Sequence, residues 1–403
     1  MGDFYQDGVI TTLHNLGNRS TQDLEEELRE FRHPNPMGLV LPSLYSELEG
    51  PALKNIVQEL SRVDYLEEII IGLDRANESQ FKYALEYFSE LPVPFRILWN
   101  DGPRLLELDA KLKEKGLAPT ERGKGRNVWY CFGYAIASGR SKAVALHDCD
   151  ILTYDRGLLA RLFYPIANPQ FTYKFCKGYY YRAAEGKLNG RVSRLLVTPL
   201  LRALKTVFGY DEYLEYLDSF RYPLAGEFCL GWDLLKIVRI PADWGLEIGV
   251  LSEIYRNYST RRVCQVEIAD AYDHKHQDLS LEDKTRGLSR MSVDISKAIF
   301  RKMATNGVVF SSGAFRSVRA AYYRIALDFV EQYHSDAVMN GMSLDRHNEE
   351  SIVNLFAENL MTAGEIFLQN PRETPFMPSW ERVISALPDF LTELHQAVEL
   401  DNR

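Results

Sequence analysis

Two acidic residues follow a short apolar segment near the middle of the chain. Asp148 and Asp150 come directly after residues 143–147, Ala-Val-Ala-Leu-His, which are predicted as a buried β-strand. Hard divalent cations such as Mg²⁺ and Mn²⁺ prefer oxygen ligands and bridge a carboxylate to a diphosphate. An Asp-x-Asp sequence also fits a polar turn that caps a helix. Its position at the end of a strand favours the metal and diphosphate site.

Charged side chains stand beside glycines at two other places. Gly123 and Lys124 precede a predicted helix at residues 126–138, and flexible glycines before a helix N-terminus favour phosphate binding. A solvated loop is the alternative interpretation. Glu227 follows Gly226 in an apolar turn, where a carboxylate could orient an acceptor hydroxyl or act as a base. The alternative for Glu227 is a helix cap.

Two further polar clusters complete the candidates. Gly190, Arg191 and Ser193 offer a glycine turn, a cation and a hydroxyl that could hold a phosphate or a carboxylate. His274 and His276 offer imidazoles, and a neutral imidazole is a suitable metal ligand beside carboxylates. A basic helix terminus and a surface loop are the respective alternatives.

The first 150 residues predict the elements that would position these side chains. Strands at 37–42, 66–74, 95–99 and 143–147 alternate with helices at 51–63, 78–89 and 126–138, which is typical of a mostly parallel sheet. Ligands of such sheets bind at the carboxyl ends of the strands. The sequence contains neither GxGxxG nor GxxxxGK[ST], so a dinucleotide-binding fold or a P-loop is not expected. The residues that follow the strands are Pro42–Glu47, Asp74, Asn100-Asp101 and Asp148–Asp150.

The rest of the chain divides into further regions. Residues 151–280 have less regular patterns and many aromatic side chains, whereas apolar spacings of three and four predict helices beyond residue 281. Pro371, Pro375 and Pro378 punctuate the last two predicted helices, which were placed at 349–370 and 380–400. We predict four regions: an N-terminal arm, an α/β domain, a less regular part and a helical C-terminal extension, at residues 1–36, 37–155, 156–290 and 291–403.

Composition excludes several classes of protein. The net charge of −9 argues against a general nucleic-acid binder. The five cysteines are scattered and lack CxxC spacing, which favours reduced thiols in the cytoplasm over a disulfide framework or a structural zinc site. No apolar segment reaches the roughly 18 residues that a membrane span needs, and the N-terminus lacks the apolar core of a signal peptide.

Taken together, these motifs are similar to those of a known enzyme family. In order and rough spacing, over about residues 38–290, the chain resembles the glucosyl-3-phosphoglycerate synthases, which are retaining glycosyltransferases with the GT-A fold. The segments that carry the resemblance are Leu41–Glu47, Gly123–Gly125, Asp148–Asp150, Gly190–Ser193, Pro223–Glu227, Gly245–Gly249 and His274. The resemblance implies an α/β fold of GT-A type, with a mixed, mostly parallel sheet. It also implies that residues 37–155 form the nucleotide-sugar-binding α/β domain and that residues 156–290 form the acceptor-binding part of the catalytic domain.

The resemblance also implies a role for each matching residue. A Mg²⁺ or Mn²⁺ ion would be held by Asp150 and His274, and Glu227 would lie near the reacting sugar and acceptor. The donor-binding residues would be Pro42, Ser43, Leu44, Glu47, Asp74, Gly123, Lys124 and Asp148. The acceptor-binding residues would be Gly190, Arg191, Ser193 and His276. Ser193 replaces the family's usual threonine, and His276 stands where the family tends to have an asparagine.

The implied reaction transfers glucose, with UDP-glucose as the favoured donor, to 3-phosphoglycerate, and its product is a compatible-solute precursor. The partners would be a nucleotide sugar and a small anionic acceptor, with no nucleic acid and no membrane, and a homodimer is expected. Unphosphorylated glycerate as acceptor or a mannosyl donor are open alternatives. A nucleotidylyltransferase would need a basic glycine-rich first loop, whereas residues 41–47 read Leu-Pro-Ser-Leu-Tyr-Ser-Glu. A non-catalytic nucleotide-sugar-binding protein is the remaining alternative.

Overall fold

The structure is a computed structural model that describes residues 6, 8–119, 121–184, 186–242, 244–270, 272–273, 287–371 and 376–403. The strands, in chain order, are β1 (Thr11–Leu13), β2 (Met37–Leu44), β3 (Leu66–Asp74), β4 (Phe95–Trp99), β5 (Ala143–Leu146), β6 (Phe175–Tyr180), β7 (Ala183–Ala184), β8 (Lys187–Leu188), β9 (Phe228–Gly231) and β10 (Val263–Ala269). The α-helices are α1 (Thr21–Phe31), α2 (Pro51–Leu60), α3 (Glu78–Tyr87), α4 (Pro103–Glu114), α5 (Lys124–Ser138), α6 (Arg156–Ala167), α7 (Thr198–Phe208), α8 (Glu212–Asp218), α9 (Trp232–Ile237), α10 (Leu246–Asn257), α11 (Gly287–Thr305), α12 (Ser312–Met339), α13 (Arg346–Gln369), α14 (Trp380–Ala386) and α15 (Phe390–Asp401). Short 3₁₀ turns lie at Tyr45–Glu49, Phe88–Glu90 and Thr260–Arg262, and a π-helical turn lies at Val192–Val197.

One large sheet organises the described residues. Its 8 strands follow the order β1-β10-β6-β9-β5-β2-β3-β4, while β7 and β8 form a separate hairpin. Within the large sheet, β9 runs antiparallel to β5 and β6, and the other neighbouring pairs are parallel. This arrangement confirms the predicted fold class, a mixed and mostly parallel sheet with a helical C-terminal region.

Both faces of the sheet are covered, which explains the continuous apolar character of its central strands. Successive side chains of a strand point to opposite faces. Val40 and Ile70 pack into the hydrophobic cluster that contains α5, whereas Leu39 and Ile71 pack into the cluster that contains α1, α2 and α6. Strands buried on both faces cannot alternate apolar with polar residues. The sheet therefore holds its strand ends rigidly, which is what a site built on those ends requires.

Most predicted elements before residue 150 are confirmed. β3 and β4 have the predicted bounds, and β2 extends two residues further than predicted, to Leu44. Residues 100–125, where no helix or strand was predicted, contain α4. The overlooked signal is the spacing of its buried residues Leu105, Leu108 and Leu112, which lie on one helical face.

The region predicted as irregular supplies three strands of the sheet. β6, β9 and β10 all lie within residues 151–280, and β6 carries Lys177 at a fully buried position. Lys177 and Gly178 interrupt the apolar run of β6, and Gln265 and Glu267 interrupt that of β10, which disguises these two strands. β1 also pairs with β10, so part of the predicted N-terminal arm belongs to the sheet. The helix predicted at 380–400 is two helices, α14 and α15, and Pro388 lies between them.

The C-terminal helices return to the edge of the sheet. Asn402 uses its side-chain amide as a strand would, accepting a hydrogen bond from Ile97 N and donating one to Ile97 O, each at 2.8 Å. Glu399 of α15 accepts two hydrogen bonds from Arg96, at 2.8 and 2.9 Å, and one from Tyr134 at 2.7 Å. An unpaired edge strand invites association, and these contacts cover it. Among the described residues, no helix is long and apolar enough to span a bilayer.

Candidate active site

The carboxyl ends of β2 and β3 lie side by side. Leu44 pairs in register with Asp74, and Pro42 and Ser43 precede Leu44 on the same strand, so the predicted nucleoside-binding residues come together. The amide nitrogen of Asn127, from α5, donates to Asp74 Oδ2 at 3.1 Å and to a carbonyl of β3 at 2.8 Å. Burial raises the pKa of Asp74, and the hydrogen bond from Asn127 opposes this shift. The result is a polar edge fixed by the helix behind it.

Acidic side chains converge after β5, next to the end of β2. Burial is the main cause that raises the pKa of Asp150 to about 7, and the charge of Asp148 is the second. Glu47, from the 3₁₀ turn that follows β2, contributes to the same shift, and so does Glu227. Carboxylates this close raise one another's pKa values because their like charges repel. A divalent cation would relieve that repulsion.

Lys124 is the cation that the structure places among these acids. Its Nζ lies 2.6 Å from Asp148 Oδ1 and 3.4 Å from Glu247 Oε1. Burial alone would lower the pKa of Lys124, but the carboxylates of Asp148 and Glu247 raise it above its ordinary value. Lys124 is also the first residue of α5, after Gly123, and the free N–H groups of a helix N-terminus attract phosphate. The position therefore combines two features that favour a diphosphate.

Glu227 is the most deeply buried of the candidate acids. Its side chain has no exposed surface, and its two carboxylate oxygens accept hydrogen bonds from Tyr180 at 2.8 Å and Tyr272 at 2.7 Å. The two tyrosine rings stack with their centroids 3.6 Å apart. Burial, followed by the charge of Asp148, raises the pKa of Glu227. Neither tyrosine was predicted as a site residue, although Tyr180 lies in the aromatic run Tyr179-Tyr180-Tyr181.

The turn before Glu227 packs directly against Asp148. A Cβ atom added to Gly226 would lie 2.4 Å from Asp148 Oδ2, a distance at which something must move. Lys177, buried on β6, holds this turn by donating a hydrogen bond from Nζ to the carbonyl of Ala225 at 2.5 Å. Burial lowers the pKa of Lys177 to about 8. Glycine at 226 is therefore a steric requirement of the site.

The predicted acceptor segment lies between the β7–β8 hairpin and the π-helical turn. Gly190 has a φ of +72°, which favours glycine, and Arg191 is half-buried. Ser193 is 6% exposed, and its hydroxyl has no hydrogen-bond partner among the described residues. Arg191 Nε lies 3.1 Å from a carboxylate oxygen of Glu349, on α13. The segment is thus in contact with the C-terminal helices, which the sequence did not predict.

A further cation links this segment to the Glu227 site. Arg182 donates a hydrogen bond to the hydroxyl of Tyr222 at 3.1 Å and lies 6.0 Å from the centroid of the Tyr272 ring. A Cβ added to Gly190 would contact the side chain of Arg182 at 3.3 Å. Arg182 therefore stands between the acceptor segment and the tyrosines that hold Glu227. It was not among the predicted site residues, because no motif surrounds it.

Two predicted residues have no placement to report. His274, the implied metal ligand, and His276, the implied acceptor contact, lie outside the described residues. Among the described residues, no group of three or more histidine, cysteine, aspartate or glutamate side chains could hold a metal ion. The described part of the site therefore offers the carboxylate of Asp150 beside that of Asp148, and metal binding by Asp150 and His274 stays a prediction.

Comparison with known proteins adds the decisive observation. The chain is 45% identical over 402 residues to the glucosyl-3-phosphoglycerate synthase of Persephonella marina, covering 100% of this chain and 99% of that one. The chain belongs to the glucosyl-3-phosphoglycerate synthase family. It is accordingly a glycosyltransferase. A scan against protein-family models found no match.

Solved structures bear on the fold alone. A glucosyl-3-phosphoglycerate synthase from Mycobacterium tuberculosis, in complex with Mn²⁺, UDP-glucose and phosphoglyceric acid, is 19% identical with a TM-score of 0.54, covering 75% of this chain and 89% of that one. A mannosyl-3-phosphoglycerate synthase from Rubrobacter xylanophilus is also 19% identical, with a TM-score of 0.55, covering 74% of this chain and 83% of that one. Because the two scores are nearly equal, backbone similarity does not distinguish a glucosyl from a mannosyl donor.

Proposed function

We propose that the enzyme transfers glucose from UDP-glucose to 3-phosphoglycerate, forming glucosyl-3-phosphoglycerate and UDP. The observation that carries the proposal is the convergence of Lys124, Asp148 and Glu227 at the carboxyl edge of the sheet. Lys124 and the N-terminus of α5 would face the donor's diphosphate, and the buried Glu227 would lie beside them. The full-length relative with 45% identity carries the name of the same activity.

The donor would lie across the ends of β2, β3 and β5. Pro42, Ser43, Leu44, Glu47 and Asp74 would surround the nucleoside, since the strands bring them to one edge. The diphosphate would lie nearer Gly123, Lys124 and Asp148, because the cationic side chain and the start of α5 stand there. Binding would draw Lys124 from Asp148 toward the phosphates.

The residues present fit a Mg²⁺ or Mn²⁺ ion. Asp150 is a buried carboxylate beside Asp148, and burial, followed by the like charge of Asp148, raises its pKa. Such oxygen ligands suit hard divalent cations. Asp150 would hold the ion, with His274 as the proposed second ligand. A cation bound here supplies Lewis-acid charge that neutralises the leaving diphosphate.

The acceptor would be docked by the basic segment, and its hydroxyl would react. Arg191 and the Ser193 hydroxyl would bind the phosphate of 3-phosphoglycerate, with Gly190 allowing the turn and His276 as a further proposed contact. The hydroxyl oxygen forms the new bond to the anomeric carbon as the bond from that carbon to the diphosphate breaks. The diphosphate leaves from the face on which the hydroxyl enters, so the configuration is retained, and its oxygen takes the hydroxyl proton.

Glu227 would orient the sugar or the acceptor without forming a covalent intermediate. Both of its oxygens accept hydrogen bonds from Tyr180 and Tyr272, which fixes the carboxylate in one orientation. Because the side chain of Glu227 is fully buried, the surrounding residues also prevent a large movement of its carboxylate. A fixed carboxylate positions a hydroxyl well, because small misplacements of reacting groups cost large factors in rate.

A product assay tests the proposal. UDP-glucose, GDP-glucose and GDP-mannose are each combined with 3-phosphoglycerate and with glycerate, with and without Mg²⁺ or Mn²⁺. We expect turnover with UDP-glucose, 3-phosphoglycerate and metal, and a loss of at least about 100-fold in Asp150→Ala, as expected for removing a metal ligand. Asp328→Ala on α12 is the control for the loss of an aspartate. The nearer exposed residue Asp155 is unsuitable for this purpose, because its side chain caps α6. Preference for glycerate or GDP-mannose, or full metal-dependent turnover in Asp150→Ala, would overturn the assignment.

Two wider predictions accompany this function. A homodimer is proposed, and sedimentation at several protein concentrations would reveal a mass near twice that of the chain. A cytoplasmic location is also proposed. It is supported by the five cysteines, each of which is buried and forms no disulfide bond. Exposure of the native protein to an oxidant should therefore leave its cysteines as free thiols.

A further inference from the structure

The C-terminal helices reach the acceptor segment through one buried acid. Glu349 lies in the first turn of α13 and is 2% exposed. One of its oxygens lies 3.1 Å from Arg191 Nε, and the other lies 2.9 Å from Arg194 Nη1. A single carboxylate thus holds two arginines that stand three residues apart. Two guanidinium groups facing one carboxylate leave a net positive charge for an anionic ligand.

Arg194 connects this acid to the backbone of the acceptor turn. Its Nε donates to the carbonyl of Asn189 at 2.8 Å, and its backbone N–H donates to the carbonyl of Gly190 at 3.0 Å. The guanidinium also lies 4.8 Å from the centroid of the Tyr333 ring on α12. Glu349 therefore fixes the turn at residues 189–194 as well as the side chain of Arg191.

Backbone contacts hold the same region at two other points. The connection between α12 and α13 places Ser343 N 2.8 Å from the carbonyl of Gly186, beside the β7–β8 hairpin. The hydroxyl of Tyr322, on α12, donates to the carbonyl of Leu195 at 2.6 Å, inside the π-helical turn. A π-helical turn leaves backbone carbonyls without their usual partners and often marks a functional site. The helical extension thus shapes the acceptor segment from outside.

We propose that Glu349 is a positioning residue of the acceptor site. It acts through Arg191 and Arg194 and keeps the acceptor turn in its binding arrangement before the acceptor arrives. This inference rests on the proposed function, because it takes the segment at residues 190–193 as the acceptor site. It gives the C-terminal extension a direct role in acceptor affinity.

The test compares Glu349→Gln with Glu365→Gln, which changes an exposed acid on the same helix. Steady-state kinetics are measured for both substrates with the full chain. We expect Glu349→Gln to raise the KM for 3-phosphoglycerate about tenfold, as expected for the loss of a charge-assisted hydrogen bond. The KM for UDP-glucose and the kcat at saturating acceptor should stay within about twofold of the parent values, and Glu365→Gln should leave all three unchanged.

Each outcome decides the inference. Equal losses in kcat and in both KM values would show a merely structural role and would overturn it, and so would an unchanged or lowered acceptor KM. If Glu349→Gln fails to fold, Glu349→Asp is measured instead, because it keeps the charge. A rise confined to the KM for the acceptor in Glu349→Asp supports the proposal, and an unchanged KM for the acceptor refutes it. If the parent enzyme prefers glycerate, the proposed function fails, and the same ratios measured with glycerate still decide the role of Glu349.

Discussion

The substitution Gly226→Ala should separate catalysis from folding. The added methyl carbon would lie 2.4 Å from Asp148 Oδ2, whereas ordinary van der Waals contact begins at 3.4 Å. Because Gly226 does not have a positive φ, alanine strains nothing at its own backbone. The contact must therefore be relieved by a displacement of about 1 Å in the Asp148 carboxylate or in the turn.

The surrounding contacts indicate that the carboxylate moves. Lys177 holds the turn through the carbonyl of Ala225, and the carboxylate of Glu227 is held by two tyrosines. Asp148 is partly exposed, with 27% of its side-chain surface accessible, and its neighbour Lys124 is 35% exposed. A displacement of this size in a catalytic site costs on the order of 100-fold in rate. We expect kcat to fall by about that factor, while the thermal midpoint changes by only a few degrees.

The assay is steady-state turnover of UDP-glucose and 3-phosphoglycerate with saturating Mg²⁺, together with thermal unfolding followed by circular dichroism. Gly313→Ala is the matched control, because the nearest heavy atom to its added Cβ would be Ser311 Oγ at 3.7 Å. The control should keep parent activity. If Gly226→Ala retains more than about a third of the parent kcat, the turn rather than Asp148 has yielded, and the steric argument is wrong.

Two further predictions follow from charged contacts. Hydrogen bonds from Arg96 lower the pKa of Glu399 to about 2, from 4.5, so the pair stabilises the fold above pH 4.5 and this contribution is lost as the pH falls towards 2. Glu399→Gln should lower the free energy of unfolding by about 1 kcal/mol at pH 7 and by much less at pH 3, as measured by urea denaturation; an equal loss at both pH values would refute the linkage. Arg182→Gln should raise the KM for 3-phosphoglycerate about tenfold, because a cation between the acceptor segment and Tyr222 is removed, whereas Arg202→Gln, an exposed arginine on α7, should not.

The sequence predicted the first half of the sheet and the residues at its carboxyl edge. An apolar run such as Leu66–Asp74 is enough to predict a buried strand. Parallel strands then bring their carboxyl ends to one edge of the sheet, independently of the conformation of the connecting loops. The ends of the strands before Asp74 and Asp148 could therefore be predicted to lie along one edge from one-dimensional spacing, whereas Lys124 was a candidate because it lies between glycines before a helix. Family resemblance supplied the proposed roles of Glu227 and of residues 190–193, which spacing alone left open.

The contacts that support these residues could not be predicted, because they join positions far apart in the chain. Glu349 meets Arg194 across 155 positions, and Tyr272 meets Glu227 across 45. The residues around Glu349 show no pattern that distinguishes it from a surface acid, and those around Tyr272 show none that distinguishes it from other core tyrosines. Their roles appear only when burial and pairing are known, since a buried charge is tolerated only where a partner compensates it. Burial therefore determines which distant residues can affect the site, and one buried carboxylate is the contact through which we propose that the C-terminal helices influence acceptor binding.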